Sequence, residues 1–181
     1  MRKVAVVGSP GSGKSTLARQ MAERLELRHV ELDALHHQAG WTPRPVPDFR
    51  AAVATAIADD GWIVDGNYRP VEDLVHGKAD TIVFLDLPRR QVTRRVLWRS
   101  ARRGITREEL WNGNRESLRN LVRRDPEVNI VAWTWHHQPK YRELYGGFIE
   151  SGRWRHADVY RLRSSRDIAS FLDALPVSRP T

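Results

Sequence analysis

The sequence predicts an α/β fold, a three-layer sandwich in which a five-stranded parallel sheet carries helices on both faces. Three observations lead there. Short β-branched apolar runs alternate with stretches of helical apolar spacing along the chain. A glycine-rich turn follows the first run and leads straight into a helical pattern. The length of 181 residues, with ordinary apolar content, suits one domain better than two.

Lys3 to Val7 reads as a buried strand ending at the glycine turn. Leu17, Met21 and Leu25, with Ala18 and Ala22 beside them, give the first helix one apolar face. A strand at His29 to Leu32, an aromatic and proline-rich loop through Trp41, and a helix from about Asp48 to Ala58 come next. Strands follow at Trp62 to Val64 and Thr81 to Leu85. Pro88 suits a first helical position, and its helix runs to about Arg103, with Gly104 ending it. Further helix over Glu108 to Tyr145 makes the region of about 104–145 a helical insert. A strand at Asp158 to Leu162 leads to a helix sharing Ile168, Phe171, Leu172 and Leu175 on one face. The single domain spans 1–175, and 176–181 reads as a disordered tail.

Composition limits the chemistry. The chain has no cysteine, which excludes a disulfide framework, a thiolate metal site and a cysteine nucleophile, and makes a reducing, cytoplasmic setting the expectation. The apolar run Val4 to Val7 is too short for a signal peptide, and nothing longer could span a membrane. Thirty Lys and Arg against 22 Asp and Glu leave a formal charge of +8, so the expected partner is anionic. Phosphates, free or in a nucleic acid, are the candidates. Arginine crowds the stretch from Arg89 to Arg124.

Gly8-Ser9-Pro10-Gly11-Ser12-Gly13-Lys14-Ser15 fits G-x-x-x-x-G-K-[ST] without a mismatch. Its glycines let the loop turn amides inward, and those amides, with the positive end of the following helix, hold phosphates. Lys14 reaches the β and γ groups, Ser15 ligates magnesium, and Thr16 is a secondary phosphate contact. Residue frequencies give a chance match in on the order of one in a hundred chains of this length. The strand before the motif and the helix after it make chance the weaker explanation. The expected ligands are therefore a nucleoside triphosphate and Mg2+.

Asp65 closes a predicted strand, where a carboxylate can hold a magnesium-bound water beside the phosphate loop. The alternative, a strand-terminating Asp-Gly turn, is weaker next to such a loop. Gly61-Trp-Ile-Val-Asp65-Gly66-Asn67-Tyr68-Arg69 resembles the adenylate kinase segment in which a strand delivers an aspartate, a glycine and an arginine for the acceptor phosphate. That resemblance implies ATP as donor and puts Gly66, Asn67, Tyr68 and Arg69 on the acceptor side. Ala79 to Pro88 resembles the strand leading into the helix of nucleotide-clamping arginines, which implies Arg95 and Arg99 as the clamp. Their spacing of four sets both guanidiniums on one helical face, for stacking and phosphate pairing. Arg89, Arg90 and Arg94 read as solvated helix surface.

The similarity covers Met1 to about Arg103 and returns weakly near the C-terminal strand. The run from Leu32-Asp33-Ala-Leu35 through Gly40-Trp41 to Val64-Asp65-Gly66-Asn67-Tyr68 resembles bacterial adenylate-kinase-related proteins often labelled topology modulation proteins. Asp33 and the Trp41 loop stand where adenylate kinases carry an AMP-binding threonine and arginine. An aspartate at the end of the second strand resembles the shikimate and nucleoside kinases, where it orients or deprotonates an acceptor hydroxyl. The alternative for Asp33 is a helix cap. After Arg103 the familiar lid sequence is replaced by an Arg- and Trp-rich insert, in which Arg115 and Arg119, one helical turn apart, are the candidates for charging the transferred phosphoryl group. Salt-bridged helix surface is the competing reading for both.

Trp41, in a loop with Pro43 and Pro45, is suited to stack on a ring-shaped substrate, whereas Trp62 and Trp98 read as core. His36-His37 and His136-His137 read as surface polar residues, since adjacent side chains point apart and no third metal ligand is well spaced. The leading function is an ATP- and magnesium-dependent phosphotransferase acting on a nucleotide-like or hydroxyl-bearing small molecule, as monomer or homodimer. A nucleic-acid-associated ATPase comes second, on the basic charge and the Trp and Arg of the insert. A regulatory nucleotide-binding switch without an acceptor comes third.

Overall fold

The computed structural model describes residues 1–107, 109–115 and 129–176. Strands β1 (Lys3–Gly8), β2 (Arg28–Glu31), β3 (Trp62–Asp65), β4 (Thr81–Leu85) and β5 (Asp158–Leu162) form one parallel five-stranded sheet in the order β2-β3-β1-β4-β5. Helices α1 (Lys14–Leu25), α2 (Leu32–His36), α3 (Val46–Ala56), α4 (Glu72–Lys78), α5 (Arg89–Thr106), α6 (Ile130–Glu150) and α7 (Ser165–Asp173) connect and follow them.

Every residue of β3 and β4 is buried, as expected for strands covered on both faces. The two-residue period of a strand divides them between two cores. Val4, Val6, Ile63, Val83 and Leu85 join Leu17 and Met21 of α1 and Leu172 of α7. Ala5, Val7, Trp62, Val64, Ile82 and Phe84 join Phe49 and Val53 of α3, Val75 of α4 and Tyr145 of α6. The carboxyl ends of β2, β3 and β1 are thereby held in fixed register.

Several expected boundaries change. Helix α5 passes through Gly104 and stops at Arg107, which takes the left-handed conformation at φ 50°. A glycine inside a helix costs only about 1 kcal/mol, which packing overrides. The helix expected over Glu108 to Tyr145 is present from Ile130 onward but not over 109–115. Asn112 and Gly113 adopt positive φ in a tight turn, and α6 starts only at Ile130, capped by Asn129, and continues past Tyr145. Trp98 is 75% exposed, two residues beyond the buried Val96 on α5, whereas Trp62 is fully buried. His36 and His37 are half-buried rather than surface residues, and the His36 ring sits 4.5 Å from Tyr68 and 4.9 Å from Phe49. His137 stacks on Trp133 at 4.3 Å, and Arg89 lies 3.8 Å over the Trp135 ring. No described helix is long and apolar enough to cross a membrane.

His76 of α4 carries a titratable group into the core. Its ring packs edge-on to Trp154 at 5.3 Å, and its Nδ1 has no hydrogen-bond partner among the described residues. Burial, helped by Arg153 and His156, pushes it down from 6.5 to about 4. The unfolded chain therefore binds the proton more readily, and the stability His76 contributes above pH 6.5 is lost as pH falls toward 4. His76→Leu should flatten that acid loss by roughly 2–3 kcal/mol relative to wild type, read from urea midpoints across the range. Parallel pH profiles for the two proteins would show that His76 does not carry it.

Candidate active site

Ser9 to Gly13 turn between the end of β1 and the start of α1, whose first residue is Lys14. No side chain caps this helix and no acidic residue stands in its first turn, so its terminal N–H groups and positive dipole end remain for an anion. Gly11 is required by its surroundings: φ is +75°, and a Cβ there would sit 2.5 Å from Val96 Cγ2 and 2.6 Å from the Val92 carbonyl oxygen. The phosphate loop thus packs directly on the backbone of α5.

Lys14 donates through Nζ to the carbonyls of Gly8 at 2.9 Å and Ser9 at 3.2 Å. Desolvation pushes its ammonium below the ordinary lysine value, opposed by Asp65 and Asp33 and reinforced by Arg99. Ser15 Oγ donates to Asp65 Oδ2. Asp65 ends β3 and is buried, and its other oxygen lies 3.2 Å from His29 Nε2. Asn67 is tied to the loop: Nδ2 donates to the Gly8 carbonyl at 2.6 Å, and the Gly8 N–H approaches Oδ1 at 3.4 Å. Gly66, at φ +136°, lets the chain pass Leu32, whose Cβ would lie 2.7 Å from a Cβ at that position.

Asp33 does not end a strand. Strand β2 stops at Glu31, level with Asp65 in the sheet register, and Asp33 stands in the first turn of α2. Its Oδ1 accepts from the Tyr68 hydroxyl at 2.6 Å, and the Tyr68 hydroxyl oxygen lies 3.3 Å from His37 Nε2. Burial first, then Asp33, pushes the Tyr68 phenol above its ordinary range, so it remains a donor.

A second segment braces this end. The Trp111 indole donates to Glu31 Oε2 at 2.9 Å, Asn112 Nδ2 donates to the His37 carbonyl, and Asn114 Nδ2 donates to the Gln38 carbonyl at 2.9 Å. Asn114 Oδ1 accepts from the Trp41 N–H at 2.8 Å, and the Trp41 indole donates to the Arg115 carbonyl at 3.3 Å. Trp41 is therefore held between the two loops. Arg115 stands in a bridge to Glu109, to which its guanidinium pairs at 3.3 Å, and not on a helix; Arg119 lies outside the described residues.

These groups surround one cavity of about 1230 Å³. Single small-ligand sites usually enclose about 300–1,000 Å³, so this one has room for two substrates. Pro10 to Thr16, Asp33, Trp41, Asp65 to Tyr68, Arg95, Arg99 and Arg115 all line it. Gly8, Ser9 and Arg69 do not; Gly8 and Ser9 form the loop's inner backbone, and Arg69 is exposed outside. Arg95 spans the loop and the last helix, donating to the Ser12 carbonyl and to Ser165 Oγ, each at 3.2 Å. Glu31, Tyr141 and Trp111 also line the cavity, and His29 supports Asp65, yet none was singled out from sequence. The signal for His29 and Glu31 was polar residues two apart on a strand, hence on one face.

Asp86 shows what a purely structural strand-end carboxylate looks like here. It is buried and neutralised by Arg142 Nε at 2.6 Å and Arg161 NH2 at 2.8 Å, and it does not line the cavity.

No family profile matches the chain. It is similar to a shikimate kinase from Nitrobacter winogradskyi, 41% identical over 64 residues, or 32% of this chain and 30% of that protein. The chain thus spans under a third of the curated relative it matches. Its fold is similar to the crystal structure of a gluconokinase from Sinorhizobium meliloti, at a TM-score of 0.52 and 18% identity, covering 95% of this chain and 87% of the other. At that identity the likeness is one of fold.

Replacing Gly11 tests the seat of the loop on α5. Gly11→Ala should destabilise the protein by on the order of 1–3 kcal/mol, from a strained φ and the clash with Val92 and Val96. Unchanged thermal and urea midpoints would mean that loop and helix are not in contact.

Proposed function

We propose that the chain is a magnesium-dependent kinase of the P-loop superfamily, adenylate-kinase-related and of the topology modulation type, that passes the γ-phosphoryl group of ATP to a hydroxyl on a small molecule. The observation that carries this reading is the different engagement of two carboxylates that both act on the Lys14 ammonium: among the described residues, Asp65 is bound by Ser15 and His29, and Asp33 by the Tyr68 hydroxyl. The local likeness to a shikimate kinase and the shared fold with a gluconokinase support a small hydroxyl compound as acceptor.

Lys14 and the loop amides bind the β and γ phosphates, and Arg95 and Arg99 line the donor side on α5. Ser15 and Asp65 would hold magnesium, since a hydroxyl and a carboxylate meeting at one point suit an octahedral ion that keeps phosphate and water ligands. When bound, that ion neutralises charge on the phosphates. Asp33 Oδ2 takes the proton of the acceptor hydroxyl as its oxygen bonds to the γ phosphorus, the bond to the β,γ-bridging oxygen breaks, and ADP leaves. Tyr68 fixes Asp33 by donating to its other oxygen. Arg115, Trp41 and the bracing segment enclose the acceptor.

Calorimetric titration with magnesium and a non-hydrolysable ATP analogue separates the two aspartates. Asp65→Asn should weaken nucleotide binding and lower every activity, including slow hydrolysis with water as acceptor. Asp33→Asn should spare nucleotide binding and cut acceptor phosphorylation roughly a hundredfold or more. Equal loss of nucleotide affinity in both variants would move Asp33 into the magnesium shell and remove its role as base.

A further inference from the structure

We infer that the acceptor half of the cavity takes a hydroxyl compound carrying a protonated amine, not one carrying a phosphate or carboxylate; this rests on the kinase reading above. The sheet order divides the cavity, with the phosphate loop at central β1, α5 and Ser165 toward β4 and β5, and the acceptor end over β2 and β3. Charge follows that division. Arg95, Arg99, Arg102 and Arg103 all belong to α5, whereas the carboxylates Glu31, Asp33 and Asp65 belong to β2, α2 and β3.

Among the described residues, the guanidiniums at the acceptor end either lie outside the cavity, as Arg44 does, or are paired. Arg50 of α3 makes a bidentate pair with Asp73 at 2.7 and 2.8 Å and does not line the cavity. Arg69 is exposed outside it, and Arg115, which does line it, pairs with Glu109. An anionic acceptor entering here meets two carboxylates, and Arg115, the described guanidinium of this end that lines the cavity, is already paired with Glu109.

The same wall suits an ammonium group. Each carboxylate is seated on an aromatic donor, Glu31 on the Trp111 indole and Asp33 on the Tyr68 phenol, so charge and ring stand together. Trp41, Trp98, Trp133 and Tyr141 line the same cavity. Ring faces and carboxylates both attract a protonated amine. Glu31 then receives the ammonium while Asp33 receives the hydroxyl proton.

Two matched sets of probes test this: glucosamine, glucose and gluconate, and 3′-amino-3′-deoxyadenosine, adenosine and AMP. ADP release, and quenching of tryptophan fluorescence in the presence of a magnesium-bound non-hydrolysable ATP analogue, are measured for each. The amine of at least one set should be preferred over its anion by at least about tenfold in kcat/KM or affinity. Glu31→Gln, which keeps an acceptor for Trp111 but removes the charge, should bring the amine down to the neutral compound's level. Preference for the anions, no discrimination, no response to either set, or an amine preference unmoved by Glu31→Gln overturns the inference. Failure of the wild type to bind the ATP analogue is a separate result, and it removes the kinase reading itself.

Discussion

Parallel pairing of β1 with β3 governs the arrangement of this molecule. The register sets Val6 opposite Asp65, so the carboxylate ending β3 lies beside the loop that leaves β1, within reach of Ser15 on the first turn of α1. Asn67 extends that pairing past the strand by engaging both backbone groups of Gly8. Because β2 pairs on the far side of β3, Glu31 stands level with Asp65, and the turn into α2 brings Asp33 round to the same cavity. Three acidic side chains thus reach one site, two through the sheet register and one through the turn that follows β2.

Whether a buried carboxylate is structural or chemical is decided by what neutralises it. Asp86 is held by two arginines, and breaking both pairs would leave a buried charge uncompensated. Asp65 and Asp33 are held instead by hydroxyl and imidazole groups, with Lys14 near both. Hydrogen bonds of that kind orient a carboxylate without quenching its charge, which is what a metal ligand or a general base requires. The Trp111 to Asn114 turn adds shape, fastening the Trp41 loop through side-chain bonds to backbone carbonyls.

The sheet and the phosphate loop were legible because each rests on local pattern: β-branched runs, an apolar helical face, and glycines at positions where only glycine fits. The strand ends were legible to within about two residues, and that margin mattered at Asp33, which sequence put on β2 and the structure puts on α2. The stretch 109–115 departs from the expected helix because helical propensity is a weak prior over a surface segment whose shape comes from long-range contacts. Trp111, Asn112 and Asn114 bond to residues more than 70 positions away, and no local spacing announces such bonds. Trp98 was misread for a related reason: an aromatic residue on a helix suggests a core, yet its neighbour Val96 already occupies the buried side. Arg69 kept the position in sequence that the resemblance implied for it but turned outward to solvent, a change of direction that only coordinates reveal.

The central claim is that the Gly8 to Thr16 loop is a triphosphate cradle whose charge comes chiefly from Lys14. The direct measurement is calorimetric titration of wild type and Lys14→Ala with the magnesium complex of a non-hydrolysable ATP analogue, alongside circular dichroism of both proteins. The account predicts saturable binding by wild type, no detectable binding by the variant, and superimposable spectra. Equal affinity in the two proteins would contradict it.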